Sequence, residues 1–176
     1  MLADLLKGKW LGHPLHPALV HLPVGLWTAT LVFDLLSQFD LGGNAMVQLS
    51  FWSIALGLAA AFLAIPTGLA DWSEIKKDKP AWKFGLYHMG LNLMVTVIFA
   101  VNLGLRVGNF REVRDVSQGP LILSVIGVAL LIPSAYLGGR MVFDYGTGVA
   151  RMSKRKWRRM AEAGGANVPP EKEKKP

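Results

Sequence analysis

Three histidines fall within nine positions, His13, His16 and His21, in the run from Gly12 to Pro23, and the only other histidine in the chain is His88. All four stand where long apolar stretches begin. Ionisable side chains at membrane depth are costly, so an intramembrane histidine is a functional-site hypothesis with a partner to be found. Neutral imidazoles can ligate haem iron axially or hold a zinc, iron or copper ion. They can equally well hydrogen-bond a backbone carbonyl or an aspartate and stitch helix ends together. Cysteine is absent, which removes disulfides, Cys-ligated iron–sulfur clusters, thioether-attached haem and thiolate zinc sites.

The elements that must position these histidines are membrane helices. The chain has 176 residues, of which 52% are apolar, too short for several domains and too apolar for an ordinary soluble one. Four apolar runs, 17–37, 47–70, 84–105 and 119–139, each span roughly 30 Å at 1.5 Å per residue, the hydrocarbon thickness of a bilayer. The first is too long for a cleavable signal, carries histidines and Asp34, and lacks a small-residue cleavage site. The expected fold is an all-α integral membrane protein, an up-down bundle of four transmembrane helices. Three regions follow: an opening segment over 1–16 with the His-Pro turn, the bundle over 17–149, and a basic, partly disordered tail over 150–176.

Lysine and arginine set the orientation. One side of such a bundle collects 16 of the 19 basic residues, so both termini are expected in the cytoplasm and the protein in a bacterial cytoplasmic membrane. The +7 net charge is this bias plus the tail and calls for anionic lipid headgroups rather than nucleic acid. The stretch Ser153 to Met160 is basic with an aromatic anchor suited to lie on headgroups, and Gly164 to Pro176 is Pro-, Lys- and Glu-rich.

This topology brings four sequence-distant motifs to one end of the bundle: His13 to His21, Pro66 to Trp72, Tyr87-His88, and Gly138 to Gly148. A helical wheel from His21 puts Gly25, Thr28 and Val32 on its stripe, and one from His88 puts Gly85 and Asn92 there. Helices one and three are diagonal neighbours, and His21 and His88 lie at matching depth, each beside a glycine that leaves space. A bis-histidine haem b with His21 and His88 as ligands fits that description. Lys83 and Arg140 would pair with its propionates, and His13 and His16 would act from a fixed turn, because Pro14 and Pro17 push them away from helical geometry. Pro23 should kink the helix beside His21. Two alternatives remain: a cofactor-free structural or accessory subunit, and a metal site using His13, His16, His21 and Asp71.

The motifs Gly12 to Pro17, Val20 to Pro23, Gly68 to Trp72, His88 with Asn92, Gly138 to Val142 and Gly146 to Val149 resemble the bacterial DUF2231 family over about residues 10–150. The resemblance implies a four-helix membrane protein. Some relatives are fused or adjacent to redox modules, which points by association to electron transfer. A haem b bundle of this kind is expected to pass electrons between a membrane donor such as quinol and a redox protein or larger membrane complex.

Other features are weaker. Gly57 with Ala61, and Ser134 with Gly138, permit close helix approach and point first to packing within the chain. Asp34 is expected to cap a helix or reach the interface. No Walker loop, His-Glu-x-x-His or Gly-x-Ser-x-Gly motif is present, so hydrolase and NTPase readings have no support.

Overall fold

A helix that crosses lipid must satisfy its own backbone, so a chain with four long apolar runs has helices as its natural solution. The computed structural model describes residues 1–148 and 154–168, and among them every regular element is helical. The order is α1 (Leu2–Leu6), a 3-10 turn (Lys9–Leu11), α2 (Leu15–Leu19), α3 (His21–Gln38), α4 (Asn44–Ser73), α5 (Pro80–Arg106), α6 (Gln118–Phe143) and α7 (Lys154–Ala163). Four spans are long and apolar enough to cross a membrane: α2 and α3 together, α4, α5 and α6. Each runs a few residues past its apolar run, because polar and aromatic residues such as Asp71, Trp72, Trp82 and Lys83 continue the helices.

One proline accounts for the break between α2 and α3, and another is accommodated within α2. Pro23 offers no N–H to the Leu19 carbonyl, and the helix is interrupted at Val20 before α3 starts at His21. Pro17 sits in the first turn of α2, where its missing N–H costs nothing.

The helices alternate in direction and form a ring. Helix α3 packs most extensively on α4, and α5 on α6, while α3 with α6 and α4 with α5 close the circle. This leaves α3 and α5 on a diagonal, meeting through side chains that cross the bundle axis. In the middle, Trp27 and Phe99 stack with centroids 4.6 Å apart and planes 11° from parallel. Ile54, Ala61, Val95 and Leu131 complete that apolar core. The outward faces carry exposed Leu22, Val32, Phe62, Val97 and Ile132, the surface a bilayer would solvate.

Helix α1 is held to the end of α4 by an ion pair between Lys7 and Glu74, so the amino-terminal segment lies at the end where α6 finishes. Helix α7 is the basic stretch whose composition suits headgroups, and within it Arg158 pairs with Glu162 at 3.1 Å. The remainder of the tail expected to be disordered, from residue 169 onward, lies outside the described residues, as does the 149–153 segment.

Candidate functional site

His16 is helical, in the first turn of α2, and not in the non-helical turn expected from Pro14 and Pro17, because Pro17 at that position fits a first helical turn and of the two histidines only His13 stays outside the helix. Pro14 is extended and caps α2, which turns the imidazole across to α4. There its Nδ1 lies 3.0 Å from the Ala64 carbonyl oxygen, and its ring rests on Gly68, where a Cβ would collide with it. A carbonyl can only accept, so Nδ1 carries the proton and Nε2 keeps its lone pair. Thr67 Oγ1 donates to the same carbonyl at 2.7 Å.

His88 is placed the same way from α5. Its Nδ1 is 2.8 Å from the Ser134 carbonyl oxygen on α6, and its ring rests on Gly138, where a Cβ would come within 3.0 Å. Asn92 Nδ2 donates to the His88 carbonyl at 2.8 Å and to Ser134 Oγ at 2.7 Å. It lies 3.4 and 3.2 Å from the two ring nitrogens of His88. Near-equal distances place the amide over the ring rather than in line with the Nε2 lone pair.

Across the bundle axis the two imidazoles approach with centroids 6.4 Å apart and planes at 89°. They border a cavity of about 140 Å³ that reaches from Trp27 and Leu131 in the core to Thr147 and Gly148 at the end of the bundle where α1 lies. Its walls come from α2 to α6 and are mostly apolar, with His16, His88, Asn92, Thr96 and Asp71 as polar points.

Of the residues singled out in the sequence, His16, His88, Gly85 and Asn92 line this cavity, and His13, His21, Gly25, Lys83 and Arg140 do not. The expected opposition of His21 and His88 is corrected by the fold. His21 is exposed, and so are Gly25, Thr28 and Val32 on its stripe, because that stripe is the outer face of α3. The inner face carries Pro23, Trp27, Thr30, Asp34 and Ser37, and His16 continues it seven residues, about two turns, before Pro23. Gly85 makes room for the Trp72 ring, which stacks near Trp82 and donates to its carbonyl at 3.0 Å. His13 and Lys83 are exposed. Arg140 bonds Asp144 at 2.6 Å and lies over the Phe84 ring, with its charge already matched. Among the described residues no three His, Asp or Glu side chains gather closely enough to hold a metal ion. The set of His13, His16, His21 and Asp71 is therefore not assembled.

Residue-type reasoning missed the polar centre at the other end of the bundle. Asp34 is fully buried and neither caps a helix nor reaches the interface. Arg106, which counts among the loop charges by position, is 3% exposed and clasps Asp34 with both terminal nitrogens at 2.7 Å. Ser50, Ser124 and Asn102 surround the pair. Arg106 Nε donates to Asn102 Oδ1 at 2.7 Å and Nη1 to Ser50 Oγ at 2.6 Å, while Ser124 Oγ donates to Asp34 Oδ2 at 2.6 Å. The visible signal was a run of polar residues at helical spacing, Thr30, Asp34 and Ser37, inside an apolar segment.

Four membrane-length helices closed around a polar site agree with what the chain matches by family. Residues 12–151 match the family described as predicted membrane protein DUF2231. The chain belongs to the DUF2231 family. That match covers the whole bundle of this DUF2231 protein, including both cavity histidines and the Asp34–Arg106 pair, and makes it an integral membrane protein in contact with the lipid bilayer. No curated protein and no solved structure matches it.

Proposed function

We propose that this DUF2231 protein holds haem b between His16 and His88 and passes electrons between a membrane donor such as quinol and a redox partner. The observation that carries the reading is the pairing itself. Two imidazoles from diagonal helices meet in an apolar cavity, and each commits Nδ1–H to a backbone carbonyl, leaving Nε2 as the available donor. That arrangement fixes tautomer and ring orientation in metal-ligating histidines generally.

The donor set suits this group. A bare transition ion bound in a protein takes three or four side-chain ligands, more than the two imidazoles here, whereas a haem would need only His16 and His88 from the protein. The cavity, at about 140 Å³, compares with one that holds a single benzene-sized guest, so a macrocycle requires α2–α3 and α5 to part further. When bound, haem would supply the one-electron chemistry. His16 and His88 would ligate it, Ala64 and Ser134 carbonyls would orient them, and the Trp27–Phe99 layer would exclude water below. Among the described residues no lysine or arginine lines the cavity, so Lys83 and Arg140 have no place in holding propionates.

The snug packing favours a second reading, in which no cofactor is bound and each histidine fastens one helix to its neighbour, α2 to α4 and α5 to α6. A visible spectrum of protein purified from haem-sufficient cells separates the two. The haem reading expects a Soret band that His16→Ala and His88→Ala each remove or strongly alter and His21→Ala leaves intact. Colourless, folded protein would overturn it in favour of the cofactor-free bundle.

A further inference from the structure

Side chains that meet on the bundle axis share one interval. His16 and His88, Trp27 and Phe99, and Asp34 and Arg106 each stand 72 positions apart, and the fully buried Thr30 and Asn102 keep the same interval. The helices that follow keep a second interval: Gly57 and Gly127, Ala64 and Ser134, and Gly68 and Gly138 are each 70 positions apart. The contacts repeat with the numbering. His16 rests on Gly68 and bonds the Ala64 carbonyl, as His88 rests on Gly138 and bonds that of Ser134. Trp27 lies against Gly57 as Phe99 lies against Gly127. Every buried residue of α6, from Pro120 to Ser134, has a buried counterpart 70 positions earlier in α4. Because α3 runs with α5 and α4 with α6, the operation is a rotation about the bundle axis, the parallel type of repeat whose sites lie between the copies.

We infer that the bundle is a tandem duplication of one helix hairpin, with α2–α4 and α5–α6 related by a pseudo-twofold axis, and that the cavity histidines are equivalent half-sites, one from each copy. Such a site suits a ligand offering two equivalent coordination positions; this last step rests on the haem reading, and the duplication does not. In a dimer of identical hairpins, a residue on the axis meets its own copy. Position 34 would then face a like charge. Fusion into one chain frees the two copies to diverge, and Asp34 against Arg106 is that divergence. It also hides the repeat, since the equivalence lives in spacing and contact rather than in residue identity.

Exchanging the polar layer tests the duplication on the full-length protein without any cofactor. Asp34→Arg and Arg106→Asp singly put like charges on the axis and should abolish the cooperative thermal transition in detergent. The variant T30N/D34R/N102T/R106D hands each half the other's residues and should recover a transition within about 4 °C of the parent, a shift of the size that about 1 kcal/mol produces in a chain this long. An exchange variant no more stable than the single reversals would overturn the inference. Where the charge variants fail to accumulate, the exchange W27F/F99W decides instead. Equivalence expects it to keep the parent transition within the same margin, and a loss equal to the sum of the single variants overturns it. Hemin titration reads the half-sites. His16→Ala and His88→Ala should weaken binding by the same factor and give the same five-coordinate spectrum, and loss from one variant alone would overturn their equivalence. A parent that binds no hemin overturns the haem reading and the ligand step that rests on it, and leaves the exchange result to judge the duplication.

Discussion

Arg106 grips Asp34 through two parallel hydrogen bonds of 2.7 Å, with both side chains almost wholly out of solvent contact. The pair joins the diagonal helices α3 and α5, while Ser50 from α4 and Ser124 from α6 bond to both partners. All four membrane spans are thus tied into one network at that end. A buried pair is weak support for stability in itself, but removing one member leaves an uncompensated charge. Asp34→Asn or Arg106→Ala should each lower stability by about 3–5 kcal/mol, whereas Asp34→Leu with Arg106→Leu should cost far less than the two separate losses. Thermal unfolding of the parent and these variants in one detergent measures this, and additive losses would refute the coupling.

Glycines under the histidines give a second expectation. A methyl group on Gly68 or Gly138 meets the His16 or His88 ring, and overpacking of this kind costs about 1–3 kcal/mol. A methyl group on Gly25 would meet nothing within 4 Å, and alanine there should be neutral or gain up to about 1 kcal/mol from helix propensity. Comparing Gly25→Ala with Gly68→Ala by unfolding temperature checks which face of each helix is packed.

Asn92 connects α5 to Ser134 of α6. Replacing it by alanine should cost about 0.6–1.7 kcal/mol, the range of interhelical hydrogen bonds in membranes. In the haem reading the same variant should also shift the reduction potential, which a spectroelectrochemical titration would read; an unchanged potential with bound haem would place Asn92 outside the ligand's surroundings.

Truncating the central stack is the severest apolar change available. Trp27 and Phe99 are 2% and 0% exposed, and Trp27→Ala or Phe99→Ala should cost about 3–5 kcal/mol through lost burial and the void left behind. Loss of the cooperative transition checks it.

Charge bias predicts both termini on the cytoplasmic side and the Phe39–Met46 connection outside. Fusions of a periplasm-active reporter to the carboxyl terminus should be silent, and an active one would invert the bundle.

The number and approximate length of the helices were legible because lipid demands unbroken apolar runs, and Pro23 announced the break that falls at Val20. Which face of each helix points inward was not. In a soluble bundle the outward stripe is polar and the contrast fixes the register, but here both stripes are apolar. Glycine and valine beside His21 therefore imitated a core stripe while facing outward. The small polar residues were the better guide, since Thr30, Asp34 and Ser37 avoid lipid, and extending their spacing toward the amino terminus arrives at His16. Arg106 stayed hidden because a loop boundary and a buried ion pair look alike when only the residue type is known.

The Trp27–Phe99 layer also makes the bundle two-faced. Together with Ile54 and Val95 it separates the histidine cavity from the Asp34–Arg106 network by an apolar stretch that offers no side chain to carry a proton onward. The cavity reaches to Thr147 and Gly148 at the end where α1 lies, and the ion-pair network lies on the far side of the Trp27–Phe99 layer, so a change at one of the two sites reaches the other through packing rather than through a shared polar group.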